Sequence, residues 1–272
     1  MVKILASPDN KEYKRLRSLS QKKYRDRLSR YLVEGENLVM ESLREGLAAT
    51  VYVRDDRQDL YDQIQGEGAH SVFMKGDLFR KVAQTETSQG ILAEVEKRVY
   101  DEAAFTEACS GNVLVLDGLQ DPGNLGTVLR TAAAAGYGGA VILKGTADVY
   151  GPKVVRAAAG ALFRLPLFFA EDARQAAALL KKMGLTIIGT TPAGGVSYLE
   201  ADLSAKIALV IGNEGNGMSE EALAVCDRNV YIPMHTGMES LNAAVAAGIL
   251  MYKSVESNST DGECGKSDSP SR

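Results

Sequence analysis

The stretch that decides the fold is residues 232–252, IPMHTGMESLNAAVAAGILMY, which leads from a strand through a turn into a helix of small residues. The segment IPM ends an apolar run, and the polar residues after it surround Gly237. Ser240 and Asn242 then stand where a helix N-terminus is expected, because short polar side chains accept hydrogen bonds from the first free helical amides. The pattern predicts a strand end that presents a polar pair, although two helix caps would give the same pattern.

Length and composition are those of an ordinary globular chain. The 272 residues are 45% hydrophobic and 24% charged, which allows two cores of roughly 100 to 150 residues each. No apolar run approaches the roughly 18 residues that cross a bilayer, and the polar N-terminus lacks a signal-peptide core, so we expect a cytoplasmic protein with no membrane partner. Three widely separated cysteines and two histidines favour neither disulfides nor a metal site.

Positive charge is concentrated at the N-terminus. The formal net charge is −4, yet residues 1–31 contain five lysines and five arginines against three acidic residues, a local net charge of +7. A basic block at one end of a chain is typical of proteins that bind a phosphate backbone. A solvated helix face would give the same pattern.

The pattern of apolar runs predicts two α/β domains. Residues 1–100 combine the basic block with a small α/β domain, and the charged residues 101–111 are interpreted as a linker. In this first domain the spacing predicts strands at 31–33, 50–53, 70–74 and 90–95, and helices at 36–45, 57–65 and 77–83.

Residues 112–254 alternate apolar strands with helices, which indicates βαβ units and a parallel sheet with helices on both faces. Asp172, followed three residues later by Gln175, predicts a capping box, and Pro152 fits a first helical turn. Residues 255–272 are rich in Ser, Asp and Gly, so we expect a disordered tail. The predicted strands are 113–116, 140–143, 165–169, 186–190, 207–211 and 229–232, and the predicted helices are 125–135, 152–161, 173–183, 220–226 and 243–252.

Candidate functional residues follow the predicted strand 113–116, because ligands of such sheets bind beyond the carboxyl ends of the strands. The segment after this strand is LQDPGNLGTVLR, residues 119–130, in which Asn124 is placed to cap a helix. Asn124, Thr127 and Arg130 recur three residues apart and so share one side of that helix. A capping asparagine and a solvated arginine are the simpler alternative.

A second strand-end loop, IGNEGNG at residues 211–217, holds a single carboxylate, Glu214, among three glycines and two asparagines. Glycines let the backbone approach a ligand closely, which suits a nucleoside-type ligand held by backbone groups. The chain has neither a Walker A sequence nor GxGxxG, which argues against a nucleotide-dependent oxidoreductase. The alternative is a structural turn that binds no ligand and uses these residues only for its backbone conformation.

Three segments in this order, NLGTVLRTAAAAG, LVIGNEGNGMS and IPMHTGMESLNAAVAAGILMY, resemble motifs one, two and three of the SpoU (TrmH-like) RNA ribose 2′-O-methyltransferases of the SPOUT superfamily. In front of them, EGENLVMESL and TSQGILAEV are similar to the ribosomal-protein-like substrate domain of many members. The resemblance implies an α/β domain with a trefoil knot and S-adenosyl-L-methionine as methyl donor. It also implies a homodimer with the active site near its interface, and transfer to a ribose 2′-hydroxyl of RNA.

The same resemblance assigns site residues. Ala158 stands where relatives often have Ser, and Lys253 where many have Glu; both lie outside the motif cores and bear on substrate detail. By their match to the motifs, the candidate catalytic residues are Asn124, Arg130, Glu214, Ser240 and Asn242, and the candidate cofactor-binding residues are Thr190, Gly212, Asn213, Ile232, Met234 and Leu241.

The family role of Arg130 as a base conflicts with a guanidinium pKa above about 12. We expect Arg130 to bind the neighbouring phosphate and stabilise the developing alkoxide, and to accept the proton only where the site lowers its pKa. The separate front domain favours ribosomal RNA, in particular 23S, over transfer RNA as partner. A noncatalytic RNA-binding ribosome-assembly protein is the alternative from a different class, and the complete set of motif residues argues against it.

Overall fold

The structure of the protein is a computed structural model that describes residues 4–68, 70–98, 100–192, 194–235 and 240–259. The chain forms two compact units. Unit 1 comprises Met1–Tyr100, Asp121–Arg130 and Ala147–Pro166, and unit 2 comprises Asp101–Gln120, Thr131–Thr146 and Leu167–Arg272. Two segments that follow the predicted linker in sequence therefore belong to unit 1, whereas a single boundary at 101–111 would assign both to the second domain.

Within the described residues, unit 1 is built on a five-stranded mixed sheet. Its strands are β1 (Ile4–Leu5), β2 (Arg30–Glu34), β3 (Ala48–Arg54), β4 (His70–Met74) and β5 (Ile91–Glu96). The order is β1-β4-β3-β5-β2, and β5 runs antiparallel to both of its neighbours. The four strands predicted for the front domain are confirmed, whereas the two-residue β1 was not predicted.

The basic block folds as part of unit 1. It forms α1 (Lys11–Ser18) and α2 (Lys22–Leu28), and the domain continues with α3 (Glu36–Arg44), α4 (Gln58–Gln63) and α5 (Gly76–Val82). Tyr13 and Leu16 of α1 are at most 2% exposed and pack in one cluster with Tyr52 and Phe79. The apolar side of α1 is thus part of the core, and the helices predicted at 36–45, 57–65 and 77–83 are confirmed.

The segment predicted as a linker contains helix α6 (Glu102–Ala108) of unit 2. The Asp101 carboxylate accepts a hydrogen bond from the Ala104 amide at 2.8 Å and caps this helix. Phe105 is fully buried, with its ring 5.8 Å from that of Phe168. Phe105 is the single large apolar residue of this helix, so the sequence contains no apolar run that would have predicted it.

The described residues of unit 2 contain a seven-stranded sheet in which all pairs are parallel, as predicted. Its order is β10-β12-β9-β11-β6-β7-β8, with the fully buried β11 at the centre. Its strands are β6 (Val113–Leu116), β7 (Gly139–Leu143), β8 (Leu167–Ala170), β9 (Thr186–Thr190), β10 (Val196–Ser197), β11 (Ile207–Ile211) and β12 (Arg228–Tyr231).

The remaining helices differ from prediction mainly at their ends. The helix predicted at 152–161 is divided, because Ala159 and Gly160 both adopt left-handed backbone with φ of 44° and 86°. The Asp172 carboxylate accepts from the Gln175 amide at 2.8 Å, so the predicted cap is confirmed. The helices are α7 (Pro122–Ala134), α8 (Pro152–Ala158), α9 (Ala161–Arg164), α10 (Ala173–Lys182), α11 (Glu220–Val225) and α12 (Ala243–Ser259).

Helix α12 extends well past the predicted end at residue 252 and into the predicted tail. Ser254 is fully buried, and its hydroxyl lies 3.2 Å from Asn112 Nδ2 and 3.0 Å from the Tyr137 hydroxyl. Burial of this polar cluster fixes the helix, so the prediction that disorder begins at residue 255 is wrong as far as Ser259. Residues 260–272 lie outside the described part of the chain. In the described part, no helix is both long and apolar enough to cross a membrane.

Candidate active site

A cavity of about 390 Å³ lies in unit 2 beside the carboxyl ends of three neighbouring strands. Thr190 ends β9, Ile211 ends β11 and Tyr231 ends β12, and all three line it. Parallel strands bring their carboxyl ends to one edge of a sheet, so loops far apart in sequence meet there. The wall is completed by Thr191, Pro192, Gly212, Asn213, Glu214, Gly215, Asn216, Gly217, Met218, Leu223, Val230, Ile232, Met234, Ser240, Leu241, Ala243, Ala246 and Leu250.

The Asn213 side chain holds the glycine-rich loop in shape. Its Oδ1 accepts hydrogen bonds from the Gly215 and Asn216 amides at 3.0 Å each, and its Nδ2 donates to the Gly118 carbonyl at 2.8 Å. The backbones of Asn213 and Gly217 are also paired, at 2.8 and 3.0 Å. Because all of these bonds restrain one short loop, its backbone amides and carbonyls are held in fixed directions at the cavity wall.

Gly212 is required by close backbone packing. A Cβ atom at this position would lie 2.4 Å from both Gly217 C and Met218 N, closer than real Cβ atoms approach their neighbours. At the other end of the loop, the buried Asp117 carboxylate accepts a hydrogen bond from the Ser219 amide at 2.6 Å. The loop is therefore anchored at both ends, which preorganises the wall.

Some polar groups of the wall form hydrogen bonds with other groups of the protein. The Thr190 hydroxyl donates to the Val210 carbonyl at 2.8 Å, and the Glu214 Oε2 atom accepts from the Gln120 amide at 3.1 Å. Glu214 and Ser240 are exposed to solvent. Outside the wall, burial raises the pKa of the Cys226 thiol to about 11, which keeps this thiol protonated at neutral pH and unsuited to nucleophilic chemistry.

Asn242 caps helix α12. Its Oδ1 accepts hydrogen bonds from the Ala244 amide at 2.9 Å and from the Val245 amide at 3.3 Å. These are the contacts of a helix cap, which the sequence had offered as the alternative to a functional role. By contrast, Asn124 is not a cap, because α7 begins two residues earlier at Pro122. The Asp121 carboxylate accepts from the Asn124 amide at 2.7 Å and takes the capping role that the sequence suggested for Asn124.

Comparison with known proteins gives the family. A model described as the SpoU rRNA Methylase family matches residues 111–252, more than half of the chain. The chain belongs to the SpoU rRNA methylase family. A second model, described as an MRM3-like substrate binding domain, matches residues 10–93 of this SpoU methylase.

Relatives of the SpoU methylase cover nearly its full length. The Bacillus subtilis protein named 23S rRNA (guanosine(2553)-2′-O)-methyltransferase RlmP is 36% identical over 92% of this chain and 98% of its own. An AdoMet-bound rRNA methyltransferase from Sinorhizobium meliloti superposes with a TM-score of 0.82 at 27% identity, covering 94% and 98% of the two chains. AviRb from Streptomyces viridochromogenes, in complex with AdoMet, gives 0.84 at 26% identity, covering 91% and 97%.

The cavity of the SpoU methylase brings together many of the residues that the motifs singled out. Its wall does not include Asn242. It also does not include Asn124 and Arg130 of α7, and these two residues belong to unit 1. Arg130 and Thr127 are exposed on α7, while the intervening Val128 and Leu129 are fully buried, as the spacing predicts. All six candidate cofactor residues line the cavity, as do two of the five candidate catalytic residues: Thr190, Gly212, Asn213, Ile232, Met234, Leu241, Glu214 and Ser240.

Sequence reasoning missed several residues of this wall in the SpoU methylase. Thr191 and Pro192 follow β9 directly, and the strand-end rule alone could have indicated them. Asp117 lies outside the wall but anchors its loop, and its position directly after the apolar run of β6 could have indicated a buried carboxylate with a structural partner. Leu250 carries no local signal, because only the packing of α12 brings it to the cavity. The polar turn 236–239, singled out around Gly237, lies outside the described residues.

Proposed function

We propose that this SpoU methylase transfers a methyl group from S-adenosyl-L-methionine to a ribose 2′-hydroxyl of 23S ribosomal RNA. The supporting observation is the preorganised cavity at the carboxyl edge of the unit 2 sheet, lined by residues of motifs two and three. The match of residues 10–93 to a substrate-binding model and the name of the Bacillus subtilis relative support the substrate class. An RNA substrate of this kind also supports a cytoplasmic location.

The cavity fits S-adenosyl-L-methionine in size and lining. Its volume of about 390 Å³ lies within the range of about 300 to 1,000 Å³ that is usual for small-molecule sites. The loop at Gly212 offers backbone groups where a side chain could not be accommodated, and Ile211 and Leu250 offer apolar surface. When bound, this cofactor supplies an electrophilic sulfonium methyl group. The residues that would hold it are Thr190, Gly212, Asn213, Ile232, Met234 and Leu241.

The residues of the chain have to orient the ribose hydroxyl and stabilise its developing charge. Arg130 binds the neighbouring phosphate and the alkoxide, because its planar guanidinium offers several N–H donors and a positive charge to anionic oxygens. Asn124 and Glu214 orient the ribose, and Ser240 contacts the hydroxyl. Asn242 fixes the start of α12 through its cap and so positions Ser240. Correct orientation by itself lowers the barrier by several kcal/mol.

Arg130→Ala tests this assignment. We expect transfer from labelled S-adenosyl-L-methionine to a 23S RNA transcript to fall by about 10²- to 10³-fold, the usual cost of removing one transition-state donor. Cofactor affinity should be unchanged, because Arg130 is not part of the cavity wall. Arg174→Ala, which removes an exposed guanidinium on α10, is the matched control. Undiminished turnover of Arg130→Ala would refute the assignment.

Two other functions are distinguished by simple measurements. A transfer RNA substrate would appear as methylation of bulk tRNA and none of 23S RNA by the same protein. A noncatalytic ribosome-assembly protein would bind RNA and show no calorimetric signal with S-adenosyl-L-methionine. Mapping ribose methylation across ribosomal RNA from cells with and without the protein identifies the modified nucleotide.

We also propose a homodimer. Support comes from α12, where Val245 and Tyr252 are each 52% exposed and Ile249, between them, is partly exposed. These residues are spaced by four and three positions and so form one apolar stripe on the helix. Light scattering should give twice the chain mass, and Val245→Glu should give the monomer mass; a wild-type monomer would refute the proposal.

A further inference from the structure

We propose that unit 1 contains a binding cavity for the phosphodiester backbone of RNA, separate from the methyl-transfer cavity. The cavity has a volume of about 730 Å³, and all of its lining residues belong to unit 1. Five of them are basic and one is acidic: Arg17, Arg25, Lys81, Lys153, Arg156 and Asp148. This inference rests on the proposed function, because the ligand is taken to be the RNA substrate.

Four of the cavity's cations have no carboxylate partner among the residues that the structure describes. Arg17 lies on α1, Lys81 on α5, and Lys153 and Arg156 on α8, and all four are exposed. Among the described residues, none of them forms an ion pair, and Arg156 instead donates to the Gln84 carbonyl at 3.2 Å. Three elements distant in sequence thus converge on one cavity with uncompensated positive charge, which attracts a polyanion.

The N-terminal basic block contributes less free charge than its sequence indicates. Arg15 and Arg30 both bind the fully buried Glu94 carboxylate, and Arg25 binds Asp148. Lys14 and Lys22 also have carboxylate partners, in Asp9 and Asp26. Five of the ten cations of this block are therefore paired with carboxylates, and Arg17 is the residue of the block that brings an unpaired charge to the cavity lining among the described residues.

Two buried polar atoms of cavity-lining residues have no hydrogen-bond partner in the described part of the chain, and this points to a ligand. The Arg25 guanidinium, 5% exposed, donates to the Leu19 and Ser20 carbonyls at 2.7 and 2.8 Å, yet its Nε–H has no acceptor among the described residues. Gln84 Oε1 is likewise buried without a donor. An unpaired buried polar atom is unfavourable, because it has lost its hydrogen bonds to water without replacement. A phosphate oxygen of RNA can accept from Arg25, and the neighbouring ribose 2′-hydroxyl can donate to Gln84.

The loop that carries Gln84 is held in place before any ligand arrives. The buried Glu34 carboxylate accepts hydrogen bonds from the backbone amide of Gln84 at 2.5 Å and from the Thr85 hydroxyl at 2.6 Å. Helix α8, which also lines the cavity, begins at Pro152 and buries Val154 and Val155. A rigid frame means that little ordering entropy is lost when a phosphate binds.

The test is the salt dependence of RNA binding by the full-length protein. The triple variant Lys81→Gln, Lys153→Gln, Arg156→Gln should reduce the slope of log K against log salt by about 2, from three lost contacts of roughly 0.7 each. The same slope change corresponds to about 50-fold weaker binding of a 23S RNA transcript at 0.15 M KCl. The matched control, Lys182→Gln, Lys206→Gln, Arg174→Gln, removes the same three charges from exposed positions outside this cavity and should bind as wild type.

The outcomes separate this inference from the proposed function. An unchanged slope in the triple variant, with wild-type methylation of 23S RNA, would overturn the phosphodiester cavity and leave the proposed function standing. Equal losses in the triple variant and its control would mean that net charge alone matters, and would also overturn it. Loss of inorganic phosphate binding with no change in RNA slope would assign the cavity to a free anion instead. Wild-type protein that binds cofactor and no RNA would refute both proposals.

Discussion

Replacing Gly212 by alanine is expected to disable the methyl-transfer cavity while leaving the fold intact. The new Cβ would lie 2.4 Å from Gly217 C and Met218 N, whereas ordinary contact begins near 3.4 Å. The clash involves backbone on both sides, so no side chain can rotate away, and the loop must move by about 1 Å. A misplacement of about 1 Å costs on the order of 100-fold in reaction rate, and cofactor binding should weaken because the displaced loop no longer offers its backbone groups in the same directions.

Calorimetric titration with S-adenosyl-L-methionine measures this loss directly, and methylation of 23S RNA should fall in parallel. Overpacking costs about 1–3 kcal/mol of stability, which thermal unfolding would show as a decrease of a few degrees in Tm. Gly215→Ala is the control within the same loop, because its nearest neighbour would be Asn213 Oδ1 at 3.7 Å. Wild-type cofactor affinity in Gly212→Ala, or an equal loss in Gly215→Ala, would refute the reasoning.

Three further predictions concern stability. Asp148→Asn leaves the buried Arg25 charge without its counter-ion and should lower the free energy of unfolding by about 3–5 kcal/mol in urea titration. Ser254→Ala removes the partner of the Asn112 amide and the Tyr137 hydroxyl and should cost about 1–3 kcal/mol in the same assay. Burial raises the pKa of Tyr137 to about 12 from 10.0, so the unfolded chain loses this proton first and stability should fall as pH rises from 10 to 12. In Tyr137→Phe, the decrease in the free energy of unfolding between pH 10 and 12 should be smaller by roughly 2–3 kcal/mol.

Each of these predictions has a matched control. Asp9→Asn breaks an ion pair between exposed side chains and should leave stability unchanged. Ser257→Ala lies on the same helix as Ser254 but outside the buried cluster, and should cost less than Ser254→Ala. A pH dependence above 10 that is identical in wild type and Tyr137→Phe would mean that Tyr137 does not contribute.

The strands of this protein are largely readable from local sequence. The apolar runs of β6 and β11 are fully buried in the parallel sheet, so hydrophobicity alone marks them. Helix ends were less predictable. Asp121, directly before Pro122, caps α7, and only the folded backbone shows that this residue and not Asn124 is the cap. The break between α8 and α9 depends on left-handed backbone at Ala159, a residue that gives no sign of it in sequence.

The sequence by itself determined the two α/β patterns, the family and eight of the residues that line the proposed cofactor cavity, because motif residues lie beside strand ends that apolar runs identify. Only the tertiary structure decided which charges remain free. Arg25 meets Asp148 and Arg15 meets Glu94 across 123 and 79 residues of chain, and no local spacing encodes such pairs. The basic block therefore looked like the RNA contact in sequence, whereas folding uses much of it internally and gathers unpaired cations from three distant elements around one cavity.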